Sequence, residues 1–291
     1  MKVPPPIKAV FDAFPLASYP PVPSTTSEKQ KAVDSCKFYY TGTTNDNFQL
    51  GIHNVMEVHG KMIPSDPICC FYSLILAQKN NLKIPQRNSD VKSGNCLVVV
   101  SPYSAVDNQL PILIETTGDS RTINSSSAIG TLITKKLSGK DVVVDQLFTS
   151  LYDCWILCLL CEDLTSETLH KIFHVDVETA SLDTMDLYHQ IPLWQAFKTR
   201  HPTLFDAHYN PNNHLLGRNS GALQSYYNTK LDDVANELDL LVTYKDSAVI
   251  TTKLLAYFVT INETLASTKL GQIIAAHPAY LAECYAQIQR I

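Results

Sequence analysis

Cys69 and Cys70 are the residues with the clearest chemical potential, because Asp66 and Pro67 just before them read as the N-cap and first residue of a helix. A thiol in the first turn of a helix feels the partial positive charge of its N-terminus, which lowers its pKa and favours the nucleophilic thiolate. Two features oppose that chemistry. This position has no Cys-x-x-Cys pair, and Asp66 sets a negative charge beside both sulfurs. Buried structural cysteine is therefore the expectation. Cys158-x-x-Cys161 followed by His170-x-x-x-His174 has the residue types of a zinc finger, but only eight residues separate the pairs, where about twelve and a hairpin are needed. Cys154, Cys158 and Cys161 also belong to a hydrophobic helical pattern, in which free cysteine packs as a small hydrophobe. No metal and no cofactor are expected.

Asp153 stands inside Leu151-Tyr152-Asp153-Cys154-Trp155, so its carboxylate lies in or beside the core and must be hydrogen-bonded or paired. Its expected role is structural, fixing the contact between two halves of the chain, with Trp155 as a core residue of the same helix. His53, His59, His189, His201, His208, His214 and His277 are scattered, and no Ser or Cys pairs with any of them as a catalytic couple. They are expected on the surface or at helix caps.

The elements that position these residues change character along the chain. Seven prolines (4, 5, 6, 15, 20, 21 and 23) fall within residues 1–35, a density that forbids helix and ladder and leaves extended chain. Val10, Phe11, Phe14, Leu16 and Tyr19 between them suit a strap laid on a folded surface. Residues 48–58 read as extended, and from Asp66 the apolar spacing of Ile68, Phe71, Tyr72, Ile75 and Leu76 becomes helical. Residues 97–100 and 110–115 are short apolar runs of the buried-strand type. Ser125 or Ser126 caps a further helix running to Leu137, with Ser138-Gly139-Lys140 closing it. Beyond that point strand patterns stop: residues 142–162 read as a central buried helix, and helices are expected at 166–174, 184–200, 222–243, 247–265 and 268–289. Residues 201–220 form the one long polar loop. An α/β half thus precedes an all-helical half, with the boundary at 138–141.

Composition narrows the function. The 291 residues carry 23 Lys and Arg against 28 Asp and Glu, a net charge of −5, and only 18% are charged, below the roughly 25% of soluble domains. Nucleic acid or an anionic lipid surface would therefore be bound without a favourable mean field. The ten glycines are isolated, with no G-x-G pair, and the Gly-Lys steps continue to Met62 and Asp141 rather than Ser or Thr, which excludes glycine-lined phosphate loops. The start of the sequence lacks a secretory pattern, so the eight cysteines are expected reduced. The longest apolar tracts, 151–161 and 248–261, fall short of a span and are interrupted by polar residues; no membrane-crossing helix is expected.

Two motifs carry a resemblance. Residues 109–115 (QLPILIE) resemble the x-V-P-x-L strand of glutathione-transferase-like thioredoxin folds, and residues 123–129 (INSSSAI) resemble the E-S-x-A-I step into the following helix. More closely, residues 3–19 (VPPPIKAVFDAFPLASY), 50–55 (LGIHNV), 66–85 (DPICCFYSLILAQKNNLKIP), 110–115 and 151–156 (LYDCWI) resemble the metaxin-like subunits of the mitochondrial outer-membrane sorting and assembly machinery, in particular the fungal 35-kDa type. The resemblance covers mostly the first 160 residues. It implies a proline-rich strap (1–45), an α/β thioredoxin-like domain (46–139) whose Pro111 follows a cis bond, and an all-α glutathione-transferase C-terminal-like domain (140–291). It further implies a non-enzymatic peripheral subunit on the cytosolic face of the outer membrane, held by the β-barrel core subunit and the larger metaxin-like subunit and receiving β-barrel precursors. The alternative is a thiol-dependent glutathione-transferase-like enzyme, which the replacement of the motif's acid by Ser125 disfavours by removing one polar grip on a glutathione peptide.

Overall fold

The computed structural model describes residues 34–87, 94–101, 104–105, 109–118, 120–135, 137–173, 197, 199–204 and 221–291. Residues 1–36 and 37–291 are separate units; the account below concerns the second. The proline-rich stretch up to residue 33, residues 184–196 of the helix expected over 184–200 and most of the expected 201–220 loop lie outside the described residues.

A five-stranded sheet is built from β1 (Lys37–Tyr39), β2 (Phe48–Ile52), β5 (Cys96–Val99), β6 (Ile112–Thr117) and β7 (Ser120–Asn124), in the order β1-β5-β2-β6-β7. The central pair β2 and β5 is parallel, and all other pairings are antiparallel. The remaining strands, β3 (Val55–Val58) and β4 (Lys61–Pro64), form a hairpin between β2 and the first helix. Its two-residue turn, His59-Gly60, has positive φ at both positions, 49° and 78°, the geometry that matches the twist of the flanking strands and that glycine adopts without steric cost. The strands over 48–58 and at 96–99 and 112–117 appear where the apolar runs place them. By contrast, β7 escaped notice because four of its five residues are polar and its one apolar residue, Ile123, makes no alternation; pairing with β6 defines it. Strand β1 lies within the stretch 1–45 assigned to the strap and adds an outer strand to the sheet.

Helix α1 (Pro67–Lys79) begins as expected, with the Asp66 side chain accepting a hydrogen bond from the Cys69 amide at 2.9 Å and Pro67 at a position whose missing N–H costs nothing. It ends at Asn80, and Asn81 takes the left-handed conformation (φ 51°) that stops many helices. The Leu110–Pro111 bond is cis, as the resemblance implied. Ser125 caps α2 (Ser126–Thr134). The expected closure of that helix at 138–140 is corrected: Ser138 instead opens α3 (Gly139–Cys161) through a reciprocal capping box with Asp141, which satisfies two otherwise orphaned amides.

After α3 come α4 (Ser166–Ile172), a single 3-10 turn (Pro202–Leu204), α5 (Gly221–Thr243) and α6 (Ala248–Leu265). The single helix expected over 268–289 is two, α7 (Lys269–Ala275) and α8 (Pro278–Arg290). Pro278 cannot continue a preceding helix but suits the first turn of a new one. In the described residues no strand follows Asn124, so a mixed sheet precedes an all-helical region. Helix α6 lies at its centre and packs on α1, α3, α4, α7 and α8. Helix α3 is buried from Phe148 to Leu160 except at exposed Thr149 and half-buried Ser150 and Tyr152. Among the described residues α3 alone is long and apolar enough to cross a membrane by length and composition, and half of its most apolar 18-residue window is buried within the protein.

Gly271 sits where α7 starts directly beneath the end of α6, and a Cβ there would meet the Leu265 carbonyl oxygen at 2.0 Å. Gly271→Ala is expected to destabilise the protein by about 2 kcal/mol or more. Gly139→Ala, where a Cβ meets nothing within 4 Å, should stabilise it by about 0.5 kcal/mol. Urea unfolding of the two variants measures both signs.

Candidate functional site

The N-terminal end of α1 is where the sequence concentrates its thiols, and the structure closes it. Asp66 is 3% exposed, and while its Oδ1 caps the helix, its Oδ2 has no hydrogen-bond partner among the described residues. Cys69 and Cys70 are fully buried. Burial, reinforced by the Asp66 charge, pushes both thiols up, so they stay protonated at neutral pH. His53, expected on the surface, is instead buried beside them, edge-to-face on Phe173 at 5.2 Å. Burial lowers its pKa, against the opposing pull of Asp66. The lid over this end is α4: Ser65 Oγ donates to the Ile172 carbonyl at 2.7 Å, and Asn54 Nδ2 donates to the carbonyls of His170 and Lys171, both at 3.1 Å. These side chains satisfy the last carbonyls of α4 and leave no polar cradle for a peptide ligand.

Asp153 and Trp155 both lie on α3, whereas Pro111 is buried at the start of β6, and no hydrogen bond or ion pair joins it to them among the described residues. The Asp153 carboxylate is 4% exposed and fully paired: Arg200 Nη2 donates to Oδ1 at 2.6 Å and His201 Nε2 meets Oδ2 at 2.6 Å. Tyr226 approaches the other ring nitrogen of His201 at 3.5 Å. The expected contact between the two halves is corrected here, because both partners belong to the helical region; the pairing ties α3 to residues 200–201. The Arg200 guanidinium also lies 5.8 Å from the centroid of Tyr152, which stacks on Trp155 at 5.7 Å. Trp155 itself is 1% exposed, and its Nε1 has no hydrogen-bond partner among the described residues. This cluster has the look of a relay, but both carboxylate oxygens are already engaged, by the Arg200 guanidinium and the His201 ring, an arrangement that holds elements together.

Cys158 is buried too, its thiol pushed up to about 11 by burial against hydrogen bonds with Thr268 and Tyr227. His174 lies outside the described residues, as do His189, His208 and His214. Among the described residues no group of three or more His, Cys, Asp or Glu is placed to hold a metal ion.

Two surface features were not read from the sequence. A groove of about 520 Å³ between the start of α3 and the end of α5 is lined by Val143, Val144, Leu147, Leu240 and Tyr244. Its signal was the unbroken valine run at 142–144, which the helical reading absorbed. The second feature is the β6–β7 hairpin, whose outer strand is exposed from Ser120 to Ile123.

This mixed sheet followed by helices, with a sealed thiol end, belongs to a chain whose residues 1–115 match the family described as SAM35, subunit of the SAM complex. The earlier resemblance is thereby borne out over that stretch, which is similar to SAM35. Over 173 residues it is 32% identical to the Sorting assembly machinery 35 kDa subunit of Saccharomyces cerevisiae, a stretch that makes up 53% of this chain and 52% of that relative. The chain therefore matches about half the length of the curated relative.

Asp153→Ala is expected to lower stability by about 2 kcal/mol, less than for a fully enclosed pair because the Arg200 side chain is 37% exposed; an unchanged melting curve would show the pairing to be idle. Maleimide should label Cys69 and Cys70 only after unfolding. Rapid modification of either in the folded protein, read by peptide mass mapping, would contradict their burial.

Proposed function

We propose that this chain is a non-enzymatic subunit of the mitochondrial sorting and assembly machinery, which receives β-barrel precursors on the cytosolic face of the outer membrane and supports their insertion. The observation that carries this reading is the match of residues 1–115 to the SAM35 family. The fold agrees with it. Strands β5-β2-β6-β7, with a parallel central pair bridged by α1 and two antiparallel strands leading into α2, have the order of a thioredoxin-like sheet. The helices that follow suit a glutathione-transferase-like second domain at 140–291, with the sheet domain before it taking in β1 and a proline-rich strap ahead of β1.

The enzymatic alternative, a thiol-dependent transferase, finds no support in the geometry. A catalytic thiol must be accessible and ionisable, whereas Cys69 and Cys70 are sealed and held protonated. The partners in this reading are the machinery's β-barrel core subunit, its larger metaxin-like subunit and the precursors; membrane attachment runs through the first two, and no cofactor takes part.

Affinity purification of the tagged chain from mitochondria, followed by mass spectrometry, should recover the barrel subunit and the larger metaxin-like subunit. Carbonate extraction should release the chain, and protease added to intact mitochondria should reach it. Failure to recover either subunit would overturn the reading, and retention on immobilised glutathione that is lost in Cys69→Ser would establish the transferase in its place.

A further inference from the structure

We propose that the outer edge of β7 is a strand-docking site that pairs through its main chain with an amphipathic extended segment of a precursor, seating an apolar side chain opposite Ile123 and an acidic one opposite Arg121. The proposal rests on the receptor reading above and assigns it a place and a specificity.

Strand β7 is the last strand of its sheet. Its register with β6 is unbroken over five pairs, from Leu113 with Asn124 to Thr117 with Ser120, so alternate residues direct their N–H and C=O groups away from β6. Such an edge is a template for another strand, and proteins usually blunt it with proline, lysine, a bulge or a covering element. Here there is no proline, lysine or bulge, and four of the five residues are exposed. Threonine and isoleucine in the strand favour the extended backbone that pairing needs. At the opposite border, β1 is only three residues long.

The side chains set what the edge selects. Ile123 lies directly across from Ile114 and on the same face as Arg121, and it is 54% exposed, one of the few large apolar side chains left in solvent. An added strand would continue this row, covering Ile123 with an apolar residue and meeting Arg121 with a carboxylate two positions away. On the other face Ser120, Thr122 and Asn124 call for polar neighbours, and Asn124 is already held by Glu115 at 2.9 Å. The segment that fits therefore alternates polar and apolar residues, as the strands of a membrane barrel must. A second copy of this chain fits poorly: two-fold pairing about Thr122 would set Arg121 against Ile123 twice, and five residues bury far less than the roughly 1,000 Å² a stable interface needs. A short edge suits a segment that is held and then passed on.

The test uses the purified complex and a synthetic peptide of the last strand of a mitochondrial β-barrel protein. Hydrogen exchange should slow at alternate amides of residues 120–124 when peptide is added, and benzoylphenylalanine in place of Thr122 should cross-link to it. Ile123→Lys should weaken peptide binding by about fivefold while co-purification of the complex is unchanged, and Leu240→Lys in the α3–α5 groove should leave binding as it was. Binding that protects or cross-links another surface, or that is indifferent to Ile123→Lys, overturns the edge assignment and leaves the receptor reading standing. Self-cross-linking through β7 with a dimeric mass overturns it in favour of a second copy. A chain that binds no peptide in an intact complex overturns both.

Discussion

The packing of α1 against α6 is the constraint on which the rest of the second unit depends. Helix α1 packs on both β4 and the helical region, and its largest contact is with α6. Neither helix has a polar face to spare: Cys69, Cys70, Phe71 and Leu74 are buried on α1, and Leu254, Leu255, Tyr257, Phe258 and Val259 on α6. Each buried side chain of this size contributes about 1.5–3 kcal/mol, offset by the entropy of ordering it. Polar contacts then fix the register. Gln78 and Thr252 bond across the two helices at 3.2 Å. Lys253 reaches from α6 to Asp145 on α3 at 2.6 Å while its ammonium lies over Phe148 at 4.7 Å and Phe71 at 5.8 Å, so one cation links three helices.

That constraint also explains the loss of chemistry at the thiols. For α1 to be buried on both sides its first turn must be covered, and α4 covers it, held by Ser65 and Asn54. What a related fold could leave open for a ligand becomes core. The dipole that would favour a thiolate is outweighed by desolvation and by the charge of Asp66. The large apolar groups left in solvent among the described residues are Ile123 and Leu132 near the end of the sheet half and Val143 and Leu240 along the helices.

Much of this was legible from local chemistry. Asp66-Pro67 announces a helix start because an acceptor and a missing N–H solve the same problem of orphaned amides, and the apolar run in α3 announces burial because no face of it is polar. The misreadings have equally physical causes. Ser138-Gly139-Lys140 resembles a stop, since serine and glycine flank both ends of helices, and only the capping bond to Asp141 decides which end it is. Strand β7 is specified by its neighbour rather than by its own pattern. The partners of Asp153 are 47 and 48 residues away; a buried carboxylate signals that it needs a cation, but not which one. The depth of His53 depends on α4 folding over it, which nothing near residue 53 records.

The pairing of Asp153 with Arg200 bears on more than folding. Helix α3 has the length and apolarity of a membrane span, and during synthesis or delivery to a membrane surface such a segment is at risk of entering the bilayer. A carboxylate near the helix centre adds about 2.5–3.5 kcal/mol to the cost of insertion, whereas in the folded chain the same group is ion-paired with Arg200 and hydrogen-bonded to His201. Asp153 is thus tolerated in the protein core and would be penalised in lipid, as would Asp141 and Asp145 earlier on the same helix.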